Sequence, residues 1–341
     1  MRAGHNGRNL KEEILSEPVL SVRNLVVEIP TRTGVLKPVD RVSYDIEAGE
    51  ILGVVGESGA GKSMTGNAVI GLLDRPARIS GGEILLKGRR IDNLNRDQMR
   101  RIRGKEIGMV FQDPLTSLNP LLRIGDQLTE TMLAHLDISA DEARDRSIAA
   151  LDEVGIPAAA SRIDSYPHEF SGGMRQRVVI ALALCAEPAL IIADEPTTAL
   201  DVSVQAQIIA LLKRLCRDRG TAVMLVTHDM GVIAEAADRV AVMYAGRLAE
   251  LGDVREVVQR PRHPYTEGLM GSTPLASRGQ RRLRQIPGSM PRLGKLPTGC
   301  AFHPRCPKAQ DACRVDPGPD LSADQGRAAC WFPVEQVEVA E

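Results

Sequence analysis

The stretch Val54-Val55-Gly56-Glu57-Ser58-Gly59-Ala60-Gly61-Lys62-Ser63 sets three glycines, a lysine and a hydroxyl in G-x-x-x-x-G-K-S spacing, directly after an apolar run from Ile51. Gly56, Gly59 and Gly61 let the backbone curl with its N–H groups inward, and a helix starting at Lys62 adds the positive end of its dipole. Such a nest suits the α- and β-phosphates of a nucleotide. Lys62 would reach the β- and γ-phosphates, and Ser63 would offer its hydroxyl to Mg2+. A glycine-rich turn can match this spacing by chance, but a strand before it and a helix after it make that the weaker reading. The residues imply binding of a nucleoside triphosphate.

Two carboxylates, Asp194 and Glu195, end a second apolar run, Leu190 to Ala193. An acid at the tip of a buried strand beside a phosphate loop can hold Mg2+, and the acid after it can orient an attacking water. Ala222 to Thr227 is a further strand, ending at His228-Asp229; in that position His228 would face the γ-phosphate. Ser171-Gly172-Gly173 opens a long helix and would make a second anion site, although alone it reads better as an ordinary N-cap.

The elements that must carry these residues follow from periodicity. Leu20 to Ile29 and Val39 to Ile46 nearly alternate, with Pro30 expected to end the first run, and both read as strands of an antiparallel sheet beside a parallel nucleotide-binding sheet. Gly82 to Gly88 and Ile107 to Phe111 read as further strands. Helical spacing prevails from Leu121 to Ala186, predicting a helical insertion between two core strands. The expected class is α/β, a P-loop nucleoside triphosphatase (NTPase) core with an antiparallel β subdomain, a helical insertion subdomain and a small cysteine-bearing C-terminal extension.

At 341 residues the chain has the length of about two domains. Its net charge of −1 supplies no general field for nucleic acid, so none is expected as a partner. Local basic patches, Lys87 to Lys105 and Arg278 to Arg284, read as solvated surface. Residues 1–17 lack the apolar core of a secretory signal, and the longest apolar run, Val178 to Ala186, is about half of a membrane span. Six cysteines are then expected in a reducing compartment, with Cys185 and Cys216 as core thiols.

Gly56 to Ser63, Gln112, Ser171-Gly172-Gly173, Asp194-Glu195, Asp201 and His228 stand in the order and spacing of the ATPase subunit of ATP-binding cassette transporters, which the chain resembles over about residues 19–250. Phe111 to Pro120, Tyr166 to Arg177, His263-Pro264-Tyr265-Thr266 and the cysteine-bearing tail narrow the resemblance to the dipeptide/oligopeptide importer branch. The resemblance implies an ATP- and Mg2+-dependent ATPase on the cytoplasmic face of the membrane. It implies a sister ATPase, in a heterodimer, two membrane permeases, and an external solute-binding protein acting through them. Import of nickel or another small solute, or a soluble cassette ATPase uncoupled from transport, are the alternatives.

Carried over by motif, Gly56, Glu57, Ser58, Gly59, Ala60, Gly61, Lys62 and Ser63 form the Walker A loop. Asp194 is the Walker B acid, Glu195 the general base or water-positioning residue, and Gln112 the glutamine that senses Mg2+ and the permease. Asp201 belongs to the D-loop and His228 is the switch histidine, while Ser171, Gly172 and Gly173 would meet the ATP held by a partner chain. The family usually sets an aromatic ring on adenine near Ile29; none lies between residues 19 and 43 here, so apolar contact or a ring from elsewhere is expected to hold the base. The expected organisation is a polar tail over 1–17, an ATPase domain over 18–260 with the insertion at about 113–187, and an extension over 261–341.

That extension is rich in proline and poor in apolar periodicity, so it could hardly build a core unaided. Cys300, Cys306, Cys313 and Cys330 therefore suggest a staple. Their gaps of five, six and sixteen residues do not match the C-x2–4-C pairs usual for zinc, whereas an iron–sulfur cluster tolerates irregular spacing. Similar tails in the peptide-importer branch imply a [4Fe–4S] cluster on these four cysteines, distant from the ATP; zinc, with His303 as a spare ligand, is the alternative.

Overall fold

Alternating apolar residues put the first two strands, β1 (Leu20–Thr31) and β2 (Gly34–Ile46), into an antiparallel hairpin. With β4 (Arg78–Leu86) and β5 (Arg89–Arg90) they form a four-stranded sheet in the order β2-β1-β4-β5. The structure is a computed structural model that describes residues 17–272 apart from Ala199, and residues 285–321 and 327–334. Residues 1–16 of the polar tail, Ala199 and the Arg278 to Arg284 patch lie outside the described residues. Contrary to expectation, β1 runs on through Pro30. Pairing with β4 stops at Glu28, so beyond it one side of β1 is unpaired and a residue without an N–H is tolerated.

The second sheet has the order β10-β9-β3-β8-β7-β6, with β3 (Ile51–Val55) parallel to both β9 (Arg239–Tyr244) and β8 (Ala222–Thr227). Next come β7 (Leu190–Asp194) and β6 (Ile107–Val110), also parallel, while β10 (Arg247–Asp253) closes the other edge antiparallel to β9. Successive residues of a strand face opposite sides of a sheet, and here both sides are covered. Ile51, Val55, Ile191, Val223 and Leu225 thus enter one core, and Leu52, Val54, Ile192, Met224 and Val226 enter the other.

Between β6 and β7 the expected insertion holds helices Ile124–His135, Ala140–Glu153 and Gly172–Leu184, whose apolar faces join the larger core. Cys185 and Cys216 are buried, and burial pushes both thiols up to about 12, as core thiols require. The basic patch around residues 87–105 is partly internally paired: Arg89 meets Glu106 at 2.8 Å, and Arg103 Nε donates to Ile70 O at 2.9 Å.

The C-terminal extension solves its lack of a core by sharing that of the ATPase body. Tyr265, Met270 and Phe302 join the larger core and Leu321 the smaller. Leu251 N donates to Arg327 O at 2.9 Å and Ala329 N to Ala249 O at 2.8 Å, so residues 327–329 continue the sheet beyond β10. His263, buried, accepts from Tyr265 N through Nδ1 at 3.0 Å and caps the helix Pro264–Gly271. Beside it the buried Glu250 carboxylate accepts the Arg262 and His263 N–H groups.

Burial lowers the His263 pKa from 6.5 to about 4. The unfolded state therefore binds this proton more readily, and the stability it contributes is complete above pH 6.5 and lost as pH falls toward 4. By linkage, the loss at pH 5 is about 2 kcal/mol. Urea unfolding at pH 7 and pH 5 should show it, and His263→Asn, which keeps an acceptor for Tyr265 N but cannot titrate, should remove that increment while leaving the contribution of Glu250.

Candidate active site

Positive backbone angles shape the loop after β3. Gly61 has φ 104°, and a Cβ there would stand 2.3 Å from Pro38 O, so no other residue fits before the helix Lys62–Val69. Lys62, 6% exposed, donates through Nζ to Gly56 O at 2.8 Å and Glu57 O at 3.1 Å. Burial lowers its pKa, while Glu195, Asp194 and Glu57 oppose the shift. Ser63 Oγ donates to Asp194 Oδ1 at 3.0 Å. Burial, first of all, raises the Asp194 pKa, and neighbouring Glu195 adds to this. A hydroxyl beside a half-buried carboxylate whose charge is disfavoured is a setting a divalent cation would relieve. Ser63, Asp194 and the Gln112 amide oxygen are of the oxygen type that Mg2+ takes, with one carboxylate as its sites usually have.

Glu195 is the meeting point of motifs far apart in sequence. Its backbone has φ 47°, a conformation that costs a side-chain-bearing residue about 1–3 kcal/mol, held by Glu195 N donating to Val226 O at 2.8 Å. Gln112 Nε2 and Thr198 Oγ1 donate to Oε2 at 3.0 and 2.9 Å, and His228 Nδ1 lies 3.2 Å from Oε1. Burial, the largest influence, pushes this carboxyl up, but the bonds from His228 and Thr198 outweigh it and hold the pKa below the ordinary value. Glu195 is thus kept ionised, as a water-orienting carboxylate must be. His228, expected to face the γ-phosphate, is held beside this carboxylate. Thr198 was missed by the sequence reading; its position three residues after Glu195 was the available signal.

Ser171 caps the helix Gly172–Leu184, its Oγ accepting from Met174 N at 3.4 Å. Ser171 and Gly172 are exposed, and among the described residues no hydrogen bond joins the three-residue loop to residues 56–63. Gly173 is needed because a Cβ would come within 2.7 Å of Val204 Cγ1. Asp201 caps the helix Val202–Arg219, accepting from Val204 N at 2.9 Å and from Ser203 Oγ. Both motifs thus cap their own helices, with no hydrogen bond among the described residues to the chain's own phosphate loop.

The tail packs against the phosphate loop: Arg305 Nη1 lies 3.0 Å from Glu57 Oε2, Tyr265 Oη accepts from Glu57 N at 3.0 Å, and a Cβ on Gly59 would stand 3.2 Å from Met290 Cε. Proline-rich chain with few apolar residues has to lean on a neighbour, and the loop's outer face is that neighbour. Among the described residues no group of three or more His, Cys, Asp or Glu is placed to hold a metal ion. Burial raises the Cys300, Cys306 and Cys330 pKa values, and charge on neighbouring thiols raises each further, so the neutral thiol is favoured. Arg305 and Tyr265 had no local signature marking them as partners of Glu57.

The ABC transporter family pattern matches residues 39–198, and the pattern for the oligopeptide/dipeptide transporter C-terminal region matches residues 249–313. Over 95% of its length the chain is 48% identical to the dipeptide transport ATP-binding protein DppD of Bacillus subtilis (strain 168), spanning 97% of that protein. It is 46% identical to the oligopeptide transport ATP-binding protein OppD of Escherichia coli (strain K12), over 94% of this chain and 95% of that one. Among solved structures it resembles the dimeric post-hydrolysis ATP-binding cassette MJ0796 bound to ADP and Pi, with a TM-score of 0.62 and 28% identity over 69% of this chain and 99% of the other.

Replacement of the two central charges should separate binding from turnover. Glu195→Gln should retain ATP but slow hydrolysis about 100-fold or more, whereas Lys62→Ala should lose ATP binding itself. Calorimetric titration with ATP and single-turnover phosphate release distinguish the two, and near-normal hydrolysis by Glu195→Gln would reject its role.

Proposed function

Because the chain belongs to the ABC transporter ATPase family, we propose that it is the ATP-hydrolysing subunit of an importer of dipeptides or oligopeptides. The observation that carries this reading is one chain matching both the ABC transporter family and the C-terminal region characteristic of oligopeptide/dipeptide transporters. The names of the relatives, dipeptide and oligopeptide transport ATP-binding proteins, favour peptides over nickel and favour a transporter over a soluble cassette ATPase.

In the proposed mechanism, the loop Gly56 to Ser63 receives the phosphates, and Lys62 exchanges its bonds to Gly56 O and Glu57 O for the β- and γ-phosphate oxygens. Ser63, Asp194 and Gln112 would hold Mg2+, which neutralises phosphate charge when bound. Glu195 orients the attacking water, with Gln112, Thr198 and His228 fixing the direction of its carboxylate. Ser171 and Gly172, both exposed, with Gly173 would complete the site of a second ATPase, and Asp201 would lie at the same junction. A heterodimer with a sister ATPase fits the family. Two permeases, reached through the helical insertion around residues 113–187, would pass the closing motion to the membrane, with an external binding protein delivering solute. No helix among the described residues is long and apolar enough to cross a membrane, as suits a subunit docked on the cytoplasmic face.

For the tail, the reading is that Cys300, Cys306, Cys313 and Cys330 hold a [4Fe–4S] cluster. Support comes from the resemblance of the tail and from the backbone bond that ties two of the cysteine-bearing segments together, Cys300 N donating to Cys313 O at 2.8 Å. A cluster spreads its thiolates over the corners of a large cage, so it asks for less convergence than one zinc ion.

Two measurements test these readings. Alone, the chain should hydrolyse ATP slowly, and adding the sister ATPase and both permeases should raise the rate at least about tenfold, with Ser171→Ala in this chain impairing the partner's site. Unchanged activity on assembly would reject the composite site. Separately, protein prepared without oxygen should be brown and contain iron and acid-labile sulfide, whereas a colourless preparation with one zinc per chain would reject the cluster.

A further inference from the structure

Glu57 is the first residue of the phosphate loop after Gly56, and nearly every polar group it has is engaged. Its carbonyl accepts from Ala60 N and from Lys62 Nζ, both at 3.1 Å. Its N–H donates to Tyr265 Oη at 3.0 Å, and its carboxylate meets Arg305 at 3.0 Å. Two of these four contacts come from the C-terminal extension, and neither partner is a loose surface side chain. Tyr265 is fully buried, its ring 4.6 Å from that of Tyr244 and 5.4 Å from that of Phe302. Arg305 is 8% exposed, donates through Nε to Pro287 O at 2.8 Å and reaches Tyr244 Oη at 3.3 Å. It rides on the tight turn that joins Cys300 to Cys306, in which His303 N donates to Cys300 O and Arg305 N to Phe302 O.

We propose that Arg305 and Tyr265 are positioning residues of the ATP site, acting through Glu57 to set the height of the phosphate loop and of the Lys62 ammonium resting on it. The extension is then part of the nucleotide-binding machinery rather than an appendage to it. Tyr244 strengthens the case. It ends β9, and the carbonyl before it, Met243 O, lies 2.3 Å from where a Cβ on Gly56 would stand, so the aromatic group and the loop share one wall. Glu57 sits between that wall and the lysine. Releasing it frees two carbonyls, Gly56 O and Glu57 O, that now hold Lys62 in register. The Arg305 guanidinium is buried while the Glu57 carboxylate stays partly exposed, so solvent competes less for this pair than for a fully exposed one.

This inference rests on the loop being the ATP site, and the experiment separates the two. ATP dissociation constants are measured calorimetrically on the full chain for Arg305→Met, Arg305→Lys, Tyr265→Phe, Glu57→Gln, the double variant Glu57→Gln/Arg305→Met, and Lys62→Ala. Arg305→Met should weaken ATP binding about tenfold, Tyr265→Phe by a smaller factor, and Arg305→Lys should recover part of the loss. In the Glu57→Gln background Arg305→Met should add less than about twofold, since its partner is already gone. An equal loss in both backgrounds would mean that Arg305 only supports the tail and would overturn the proposal, as would unchanged affinity in Arg305→Met. Should Arg305→Met not fold, Tyr265→Phe and Arg305→Lys decide: wild-type affinity in both rejects the latch. Normal ATP binding by Lys62→Ala would instead refute the site itself.

Discussion

The carboxylate of Glu195 is the group on which the geometry of the site depends. It lies at the end of a buried strand, in a backbone conformation unfavourable for a residue with a side chain, and it gathers hydrogen bonds from Gln112, Thr198 and His228. Gln112 follows β6, His228 follows β8, and Glu195 follows β7 between them, so the parallel order of three strands is what lets three loops converge on one point. Loops at the carboxyl ends of parallel strands share one edge of a sheet, the usual seat of ligand chemistry in this class of fold. A backbone strained at that edge persists because the sheet beneath it is packed on both faces. Should ATP draw Gln112 or His228 away, Glu195 would lose an anchor, which couples occupancy of the site to the loops that carry these two residues.

The phosphate loop obeys a second constraint. Glu57 N donates outward to Tyr265 Oη, so the loop's outer face needs a partner of its own. In this chain the cover is the C-terminal extension, through Tyr265, Met290 and Arg305. The extension in turn has too few apolar residues to stand alone and takes Tyr265, Met270 and Phe302 into the core of the ATPase body. Each part meets a need of the other, which accounts for the firm contact between them although they are distant in sequence. Two of the tail cysteines, Cys300 and Cys306, bound the turn that carries Arg305, the group that touches the phosphate loop.

Much of this was legible from residue order. The glycine spacing of 56 to 63, the apolar run into Asp194-Glu195, the strand before His228 and the helical spacing after Leu121 each encode a local element, and local elements follow from periodicity and backbone freedom. Their chain order also pointed to the family, and with it to the fold and to ATP hydrolysis. Long-range placement was not encoded in that way. Pro30 reads as a strand end until pairing shows that β4 has already left β1 at Glu28. His228 turns to Glu195, and Thr198 joins it, because the register of β7 against β8 sets their loops side by side. Arg305 meets Glu57 across 248 residues of chain, a pairing with no spacing rule to reveal it. The reason is physical: a motif is a property of neighbouring residues, whereas the burial and partners of a charged group depend on which distant surface the fold lays over it.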